Sequence, residues 1–145
     1  MPDQRAALAQ LGALAAPDAE LRLLEYADPL GRFAAATSGR SSYAWWRPLD
    51  PGRLHELLAG AGWSLAESRD LGLELKRWYV ELCARIAATR EAITEELGAE
   101  WFTFASAEYA GVLEMARAGE LGGVFVRARA AERDAPPPPT PETAP

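Results

Sequence analysis

The stretch that decides the fold is Leu21-Arg22-Leu23-Leu24-Glu25-Tyr26-Ala27, which leads into Asp28-Pro29-Leu30-Gly31. The first part is short and largely apolar, and the Asp-Pro and Leu-Gly steps that follow it are typical of a turn. The pattern predicts an interior strand, buried on both faces, that ends in a loop.

The residues before this strand predict a helix. Asp3 is a plausible N-cap, Leu8, Leu11 and Leu14 follow at helical spacing, and Pro17-Asp18 forms a turn. A helix, a tight turn and a buried strand make half of a parallel α/β unit, which needs further strands at its side. No strand precedes this one in the sequence, so we expect part of the sheet to lie outside the chain.

The residues after the strand predict two more elements and an irregular segment. Residues 31–49 are rich in Gly, Ser and aromatic side chains, which favours a long structured loop. Residues 50–60 begin with Asp-Pro and end with Gly, as short helices do. Trp63 to Asp70 alternates imperfectly after a Gly-Ala-Gly turn and predicts a second strand.

The last part of the folded region is predicted to be two helices and a strand. Apolar residues from Leu75 to Leu97 recur at three- and four-residue steps and predict one amphipathic helix of about six turns, with Trp78 in its apolar stripe. A second helix carries Trp101 and other apolar residues and ends at Gly119. Residues 124–130 are β-branched and alternating, which indicates a strand.

The composition of the chain argues against several classes of function. The chain has 145 residues, 49% of them hydrophobic, and a formal net charge of −6, which suits one domain over residues 1–131 and argues against nucleic-acid binding. No apolar run approaches the roughly 20 residues that a membrane span needs. A single cysteine, Cys83, predicts a reducing cytoplasm, and with only His55 beside it the chain lacks the soft ligands of a structural zinc site.

The C-terminal residues 132–145 hold six of the eleven prolines and no large apolar side chain. Such a composition cannot offset the entropy of ordering, so we expect a disordered, Pro-rich tail. A Pro-rich recognition peptide at residues 136–139 is the alternative.

Three stretches resemble the carboxyl-terminal half of class I S-adenosylmethionine-dependent methyltransferases of the small-molecule type. They are AALAQLGALAAPDAELRLLEYADP (6–29), LHELLAGAGWSLAESRDLG (54–72) and GELGGVFVRARA (119–130). The resemblance implies an α/β fold with a partial Rossmann-like sheet of about three strands. It also implies that the helical pair of residues 73–119 is a substrate-covering insertion and that the last strand pairs antiparallel near the edge of the sheet.

The resemblance implies S-adenosylmethionine as the cofactor and a small molecule as the methyl acceptor. In that family a glycine-rich turn after the first strand and an acidic residue after the second grip the cofactor. The chain has neither, because its Gly119–Gly123 stretch precedes a strand and does not join a strand to a helix. A complete domain of this kind needs roughly 200 residues, so the amino-terminal half with the cofactor grip is expected to be absent.

Candidate acceptor-binding residues follow from position and chemistry. Ligands of open α/β sheets lie at the carboxyl ends of the strands, and aromatic faces in a loop can wall a pocket or stabilise a cation by roughly 0.5–2 kcal/mol. No catalytic residue is identified. The predicted substrate-binding residues are Glu25, Tyr26, Asp28, Tyr43, Trp46, Arg77, Tyr79 and Tyr109. For each, a purely structural role is the alternative: a turn for Asp28, solvation for Glu25, and packing for the aromatic side chains, including Trp45.

Three functions remain open on the sequence. The chain is the acceptor-binding part of a methyltransferase, inactive without its other half; or it is a non-catalytic interaction module whose helices at 73–119 pack on a partner or a second copy; or it is a truncated gene fragment. The first requires another polypeptide, and the second predicts a homodimer that is indifferent to S-adenosylmethionine.

Overall fold

The computed structural model describes residues 3–44 and 46–131 as one three-stranded sheet with helices packed on both faces. The helices are α1 (Gln4–Leu14), α2 (Phe33–Ala36), α3 (Leu54–Ala59), α4 (Gly72–Ala88), α5 (Arg90–Leu97) and α6 (Ala99–Ala118). The strands are β1 (Glu20–Ala27), β2 (Trp63–Asp70) and β3 (Gly122–Ala130), and single 3-10 turns lie at Ser41–Tyr43 and Pro51–Arg53. The predicted Pro-rich tail at 132–145 lies outside the described residues.

The predicted first helix and turn are confirmed. The Asp3 carboxylate accepts a hydrogen bond from the backbone N–H of Arg5 at 2.9 Å and so caps α1. The turn before β1 places Asp18 at a φ of 64°, a left-handed conformation that Asp tolerates better than most residues.

The strands pair in the order β1-β3-β2, and both pairings are antiparallel. The outer strands β1 and β2 therefore run parallel to each other, with the closing strand between them. An α/β fold with about three strands is confirmed, and β3 pairs antiparallel as the resemblance implied. It is nevertheless the central strand of the described sheet, because β1 and β2 take its two edges.

The first core lies between α1, α3 and one face of the sheet. Its centre is formed by Leu58 and Val126, which are completely buried, and by Trp63 at the start of β2. The indole Nε1 of Trp63 donates to the carbonyl oxygen of Leu8 at 2.9 Å, so a buried polar group is satisfied while α1 is tied to the sheet.

The expectation that β1 is buried on both faces is wrong for the described residues. Leu21 and Leu23 lie opposite Ala128 and Val126 and face the first core, whereas Leu24 on the other face is 74% exposed. The physical reason is that the first core covers one face of β1 along Leu21 and Leu23, whereas on the other face α4 reaches Tyr26 and leaves a cavity beside Leu24.

Two other local expectations are corrected. The predicted six-turn helix is divided into α4 and α5 at Thr89, whose hydroxyl donates to the carbonyl oxygen of Arg85 at 2.8 Å. Such back-bonding by Thr bends helices. The predicted loop at 31–49 contains the short helix α2. Four residues are too few to show a helical periodicity in the sequence. The predicted end of α6 is confirmed, because Gly119 adopts a φ of 73° there.

Candidate functional site

The loop after β1 is held at the carboxyl end of that strand. The two carboxylate oxygens of Asp28 accept the backbone N–H groups of Arg32 at 2.8 Å and of Phe33 at 3.1 Å, which starts α2. Further along, the N–H of Leu49 donates to Tyr26 O at 2.9 Å and Asp28 N donates to Leu49 O at 2.8 Å. The loop therefore leaves β1 and returns to it.

The side chains of this region form an aromatic cluster. Trp46 is its centre: its ring stacks on Tyr26 with centroids 4.8 Å apart and on Phe33 at 6.1 Å, and Tyr43 meets it edge-on at 5.6 Å. Helices α4 and α6 complete the group with two tyrosines whose rings are 6.5 Å apart. We define the aromatic cluster as Tyr26, Phe33, Tyr43, Trp46, Tyr79 and Tyr109.

A tyrosine pair joins the sheet to α4 inside the cluster. The hydroxyls of Tyr26 and Tyr79 are 2.6 Å apart, and the Tyr79 side chain is buried. Burial, reinforced by the hydrogen bond with Tyr26, raises the pKa of Tyr79 far above its usual value. Tyr79 is therefore neutral at every physiological pH, and it serves here as a hydrogen-bonding group.

Tyr43 connects the loop to α6. Its hydroxyl donates to the carbonyl oxygen of Glu108 at 3.1 Å, and the guanidinium of Arg40 lies over its ring at 4.5 Å from the centroid. Burial and the neighbouring charge of Glu108 raise the pKa of Tyr43. Ser42 Oγ also donates to the Glu108 carboxylate at 3.2 Å, so two hydrogen bonds fix the loop against α6. The cation–π contact lies within the loop and holds Arg40 on Tyr43.

Two cavities flank the aromatic cluster. The first has a volume of about 600 Å³ and lies within the loop, with Phe33, Tyr43 and Trp46 as aromatic walls and Asp28, Arg40 and Arg47 as its charged residues. A volume in this range suits a small-molecule ligand. The second, of about 380 Å³, lies between β1 and α4, where Leu24, Tyr26, Leu71, Leu75, Trp78 and Gly123 form its apolar lining.

The structure places the eight sequence-predicted site residues in different positions. Five belong to the aromatic cluster: Tyr26, Tyr43, Trp46, Tyr79 and Tyr109. Asp28 lines the first cavity and Glu25, which is exposed, lines the second. Arg77 is exposed on α4 and lines neither of the two cavities.

Two expectations for neighbouring aromatic residues have different outcomes. The expectation that Trp78 packs in the core is wrong, because its side chain is 54% exposed while the adjacent Tyr79 is buried. The helix is rotated so that Tyr79 faces the sheet. Trp45 lies outside the described residues.

Sequence reasoning missed Phe33 and Arg40, which both line the first cavity. The signal was weak, because α2 has only four residues and the Gly39-Arg40 step looks like any polar turn. The sign of α2 in the sequence is the four-residue spacing of Phe33 and Thr37, because the Thr37 hydroxyl donates to the Phe33 carbonyl at 2.8 Å.

The described residues do not by themselves form a binding motif for S-adenosylmethionine. Within the part of the chain that the structure describes, two strands are followed by a helix, β1 by way of Asp28 to Arg32 and β2 by way of Leu71. Neither junction is the glycine-rich turn that holds a nucleotide cofactor. Within residues 3–44 and 46–131, no group of three or more His, Cys, Asp or Glu side chains is placed to hold a metal ion. Among the same residues, no helix has the length and hydropathy to cross a membrane.

Comparison with solved structures identifies the fold. A phosphoethanolamine N-methyltransferase 2 of Haemonchus contortus in complex with S-adenosyl-L-methionine superposes with a TM-score of 0.78 at 12% identity, over 91% of this chain and 31% of that one. A protein described as a sarcosine dimethylglycine methyltransferase from Galdieria sulphuraria superposes at 0.77 and 13% identity, over 92% and 50%. The cyclopropane synthase MmaA2 of Mycobacterium tuberculosis superposes at 0.73 and 14% identity, over 86% and 49%.

These similarities show the fold of part of a methyltransferase domain. The chain spans half or less of the length of each of these three solved proteins. No protein-family model matches the chain, and no curated protein matches it in sequence.

Proposed function

We propose that this chain forms the acceptor-binding part of an S-adenosylmethionine-dependent methyltransferase that acts on a small molecule. The observation that carries the proposal is the aromatic-walled cavity of about 600 Å³ at the carboxyl end of β1, where open α/β sheets place their ligands. Support for the reaction class comes from the similar proteins, two of which are named as methyltransferases of small amine-containing molecules.

In this proposal the role of the chain is to position the methyl acceptor. Phe33, Tyr43 and Trp46 would exclude water from the acceptor and fix its orientation, which are effects that accelerate group transfer. Tyr26 and Tyr79 would hold the wall in place through their hydroxyl pair. The acceptor atom that receives the methyl group is a nitrogen, an oxygen or a carbon.

The cofactor would be held by a second polypeptide segment that completes the sheet at β1. The carbonyl of Tyr26 bonds Leu49 on the edge opposite β3, and backbone groups that face one edge recur at every second residue. The N–H and C=O groups of Arg22 and Leu24 therefore face the same edge, where no strand pairs with them among the described residues. An added strand there, together with the apolar cavity beside Leu24, is the proposed contact.

In the same proposal the domain extends over residues 1–131, and the single cysteine favours the cytoplasm.

Methyl transfer tests the proposal. The chain alone, and the chain combined with the polypeptide encoded immediately upstream of it, are incubated with methyl-labelled S-adenosylmethionine and a panel of small amines, alcohols and carbon acids. We expect transfer only by the combination, and a loss of at least about tenfold in kcat/KM in Trp46→Ala, while His55→Ala at the exposed surface of α3 retains the activity. A combination that binds no S-adenosylmethionine and labels no acceptor would remove the enzymatic assignment.

A second candidate function is a non-catalytic interaction module. It is favoured by large apolar side chains that are exposed on the helices between β2 and β3, namely Leu73, Trp78, Val80, Leu97, Trp101 and Phe104. Light scattering across a concentration series distinguishes it: a dimer whose formation is indifferent to S-adenosylmethionine supports the module and opposes the methyltransferase.

A further inference from the structure

Among the charged side chains that line the first cavity, cations outnumber anions. The neighbouring carboxylate of Glu108 on α6 is outside this lining and accepts a hydrogen bond from Ser42 at 3.2 Å. Of the charged lining residues, Asp28 has both carboxylate oxygens engaged with the backbone N–H groups that start α2. Arg40 and Arg47 have no carboxylate oxygen within 4.0 Å among the described residues, although the chain carries 21 acidic against 15 basic side chains. Formally the lining carries one excess positive charge.

Arg40 is also held in one place. Its guanidinium lies on the Tyr43 ring, and its Nη2 is 3.4 Å from the Tyr43 hydroxyl. The same Nη2 lies against Gly111 of α6, where an added Cβ would be 2.5 Å from it. A glycine in the middle of a helix costs about 0.5–1 kcal/mol relative to alanine, and here the missing side chain leaves the space that the guanidinium occupies.

The remaining donors of Arg40 are available for a ligand. A guanidinium has five N–H donors in a planar fork that matches two oxygens of a carboxylate or phosphate. Among the described residues the Arg40 guanidinium has one hydrogen-bond partner, the Tyr43 hydroxyl. Arg47, in contrast, is exposed and uses its Nη1 on the carbonyl oxygens of Ala44 and Trp46.

We infer that Arg40 binds an oxyanion, and that the cavity takes a small molecule in which a carboxylate or phosphate group is joined to an apolar portion that packs on Phe33 and Trp46. This inference rests on the proposed function for the identity of the site, and it adds the chemical class of the acceptor. Binding before any reaction would place the anionic group at Arg40 and leave the rest of the molecule along the aromatic wall.

Binding of simple aromatic probes to the complete chain tests the inference. Titration calorimetry compares benzoate and phenyl phosphate with benzyl alcohol and benzylamine, which share the ring and differ in charge. We expect both anions to bind at least about tenfold more tightly than the neutral and cationic probes, and that preference to shrink as salt is raised. The better of the two anions identifies the carboxylate or the phosphate as the group that is recognised.

Matched variants locate the site. Arg40→Gln is expected to weaken binding of the preferred anion by at least about tenfold, and Arg40→Lys by less, because the charge remains while the fork is lost. Arg85→Gln removes the same charge from an exposed position of α4 and should leave the affinity unchanged. Equal affinity for benzoate and benzylamine in the unmodified chain, or an equal loss in the Arg40→Gln and Arg85→Gln variants, overturns the inference.

Failure of this inference can be distinguished from failure of the proposed function. The probe titrations require neither S-adenosylmethionine nor a second polypeptide, and they need no variant to fold. Methyl transfer to acceptors without an anionic group would leave the proposed function in place and remove only the role of Arg40.

Discussion

At the scale of single residues, the hydroxyl pair of Tyr26 and Tyr79 links the sheet to the helices that cover the candidate site. The oxygens are 2.6 Å apart and Tyr79 is 2% exposed, so either hydroxyl would lose a short hydrogen bond if the other were removed. A typical hydrogen bond contributes about 0.5–1.5 kcal/mol net, and a buried polar group left without a partner costs more.

A double-mutant cycle measures this pair. Tyr26→Phe and Tyr79→Phe are each expected to lower the free energy of unfolding by about 1 kcal/mol, and the double variant to lower it by less than the sum of the two. Urea denaturation gives the three values. Tyr109→Phe is the control, because its ring is 6.5 Å from that of Tyr79 without a hydroxyl bond between them, and its effect should add to that of Tyr26→Phe. Strict additivity for Tyr26 and Tyr79 would contradict the bond.

The raised pKa values of Tyr43 and Tyr79 predict how stability depends on pH. Burial is the main cause for both, so above the usual tyrosine pKa of about 10 the unfolded chain releases protons that the folded chain retains. The stabilisation is fully present below that pH and is lost as the pH rises above it. Urea denaturation between pH 8 and pH 11.5 should show a falling free energy of unfolding, with a shallower fall in Tyr79→Phe. A free energy that is flat above pH 10 would contradict the burial.

At the scale of elements, the contact between α1 and the turn before β2 depends on the absence of a side chain at Gly12. An added Cβ would collide with the backbone carbonyl oxygen of Ala61 and lie 3.2 Å from the indole Nε1 of Trp63. The carbonyl belongs to the turn that fixes β2, and the indole is bonded to Leu8, so neither can move freely. This close approach sets the distance between α1 and the sheet.

Gly12→Ala is therefore expected to destabilise the protein by about 1–3 kcal/mol, the usual cost of overpacking. In a helix without this contact the same change would stabilise by about 0.5–1 kcal/mol, so the sign of the effect is the test. Thermal unfolding of the unmodified protein and of the Gly12→Ala variant gives the sign of the change in stability. Gln10→Ala on the exposed face of α1 should change stability by no more than about 0.5 kcal/mol.

At the scale of the whole molecule, the distribution of exposed apolar side chains distinguishes the two candidate functions. Leu24 lies on β1 beside the edge that the described residues leave open, and an open strand edge readily pairs with another chain. Leu97 is also exposed, at the end of α5, and belongs to the helical surface that a homodimer would use.

Leu24→Lys is expected to leave the stability of the chain within about 0.5 kcal/mol, because the side chain is already 74% exposed. It should weaken association with the proposed polypeptide that completes the sheet at β1 at least about tenfold, since the contact would bury an ammonium group. Leu97→Lys should leave that association unchanged. Size-exclusion chromatography with light scattering measures both, and the reverse pattern would favour the helical surface as the site of contact.

The sequence by itself determined the order of most elements, because caps, turns and spacing are local properties. Asp3, the turn at Asp18 and the end of α6 at Gly119 are predicted from side chains and backbone preferences that act within a few residues. The resemblance of three stretches of the sequence to part of a methyltransferase predicted the fold class, and the similar solved structures agree with that prediction.

Only the tertiary structure decided which side chains meet. The rotation of α4 buries Tyr79 and exposes Trp78, although the sequence gives both the same helical context. Gly111 and Arg40 lie far apart in the chain, yet they meet because α6 packs against the loop after β1. Burial, strand order and the balance of charge around a cavity depend on contacts between distant segments, and local sequence preferences do not encode such contacts.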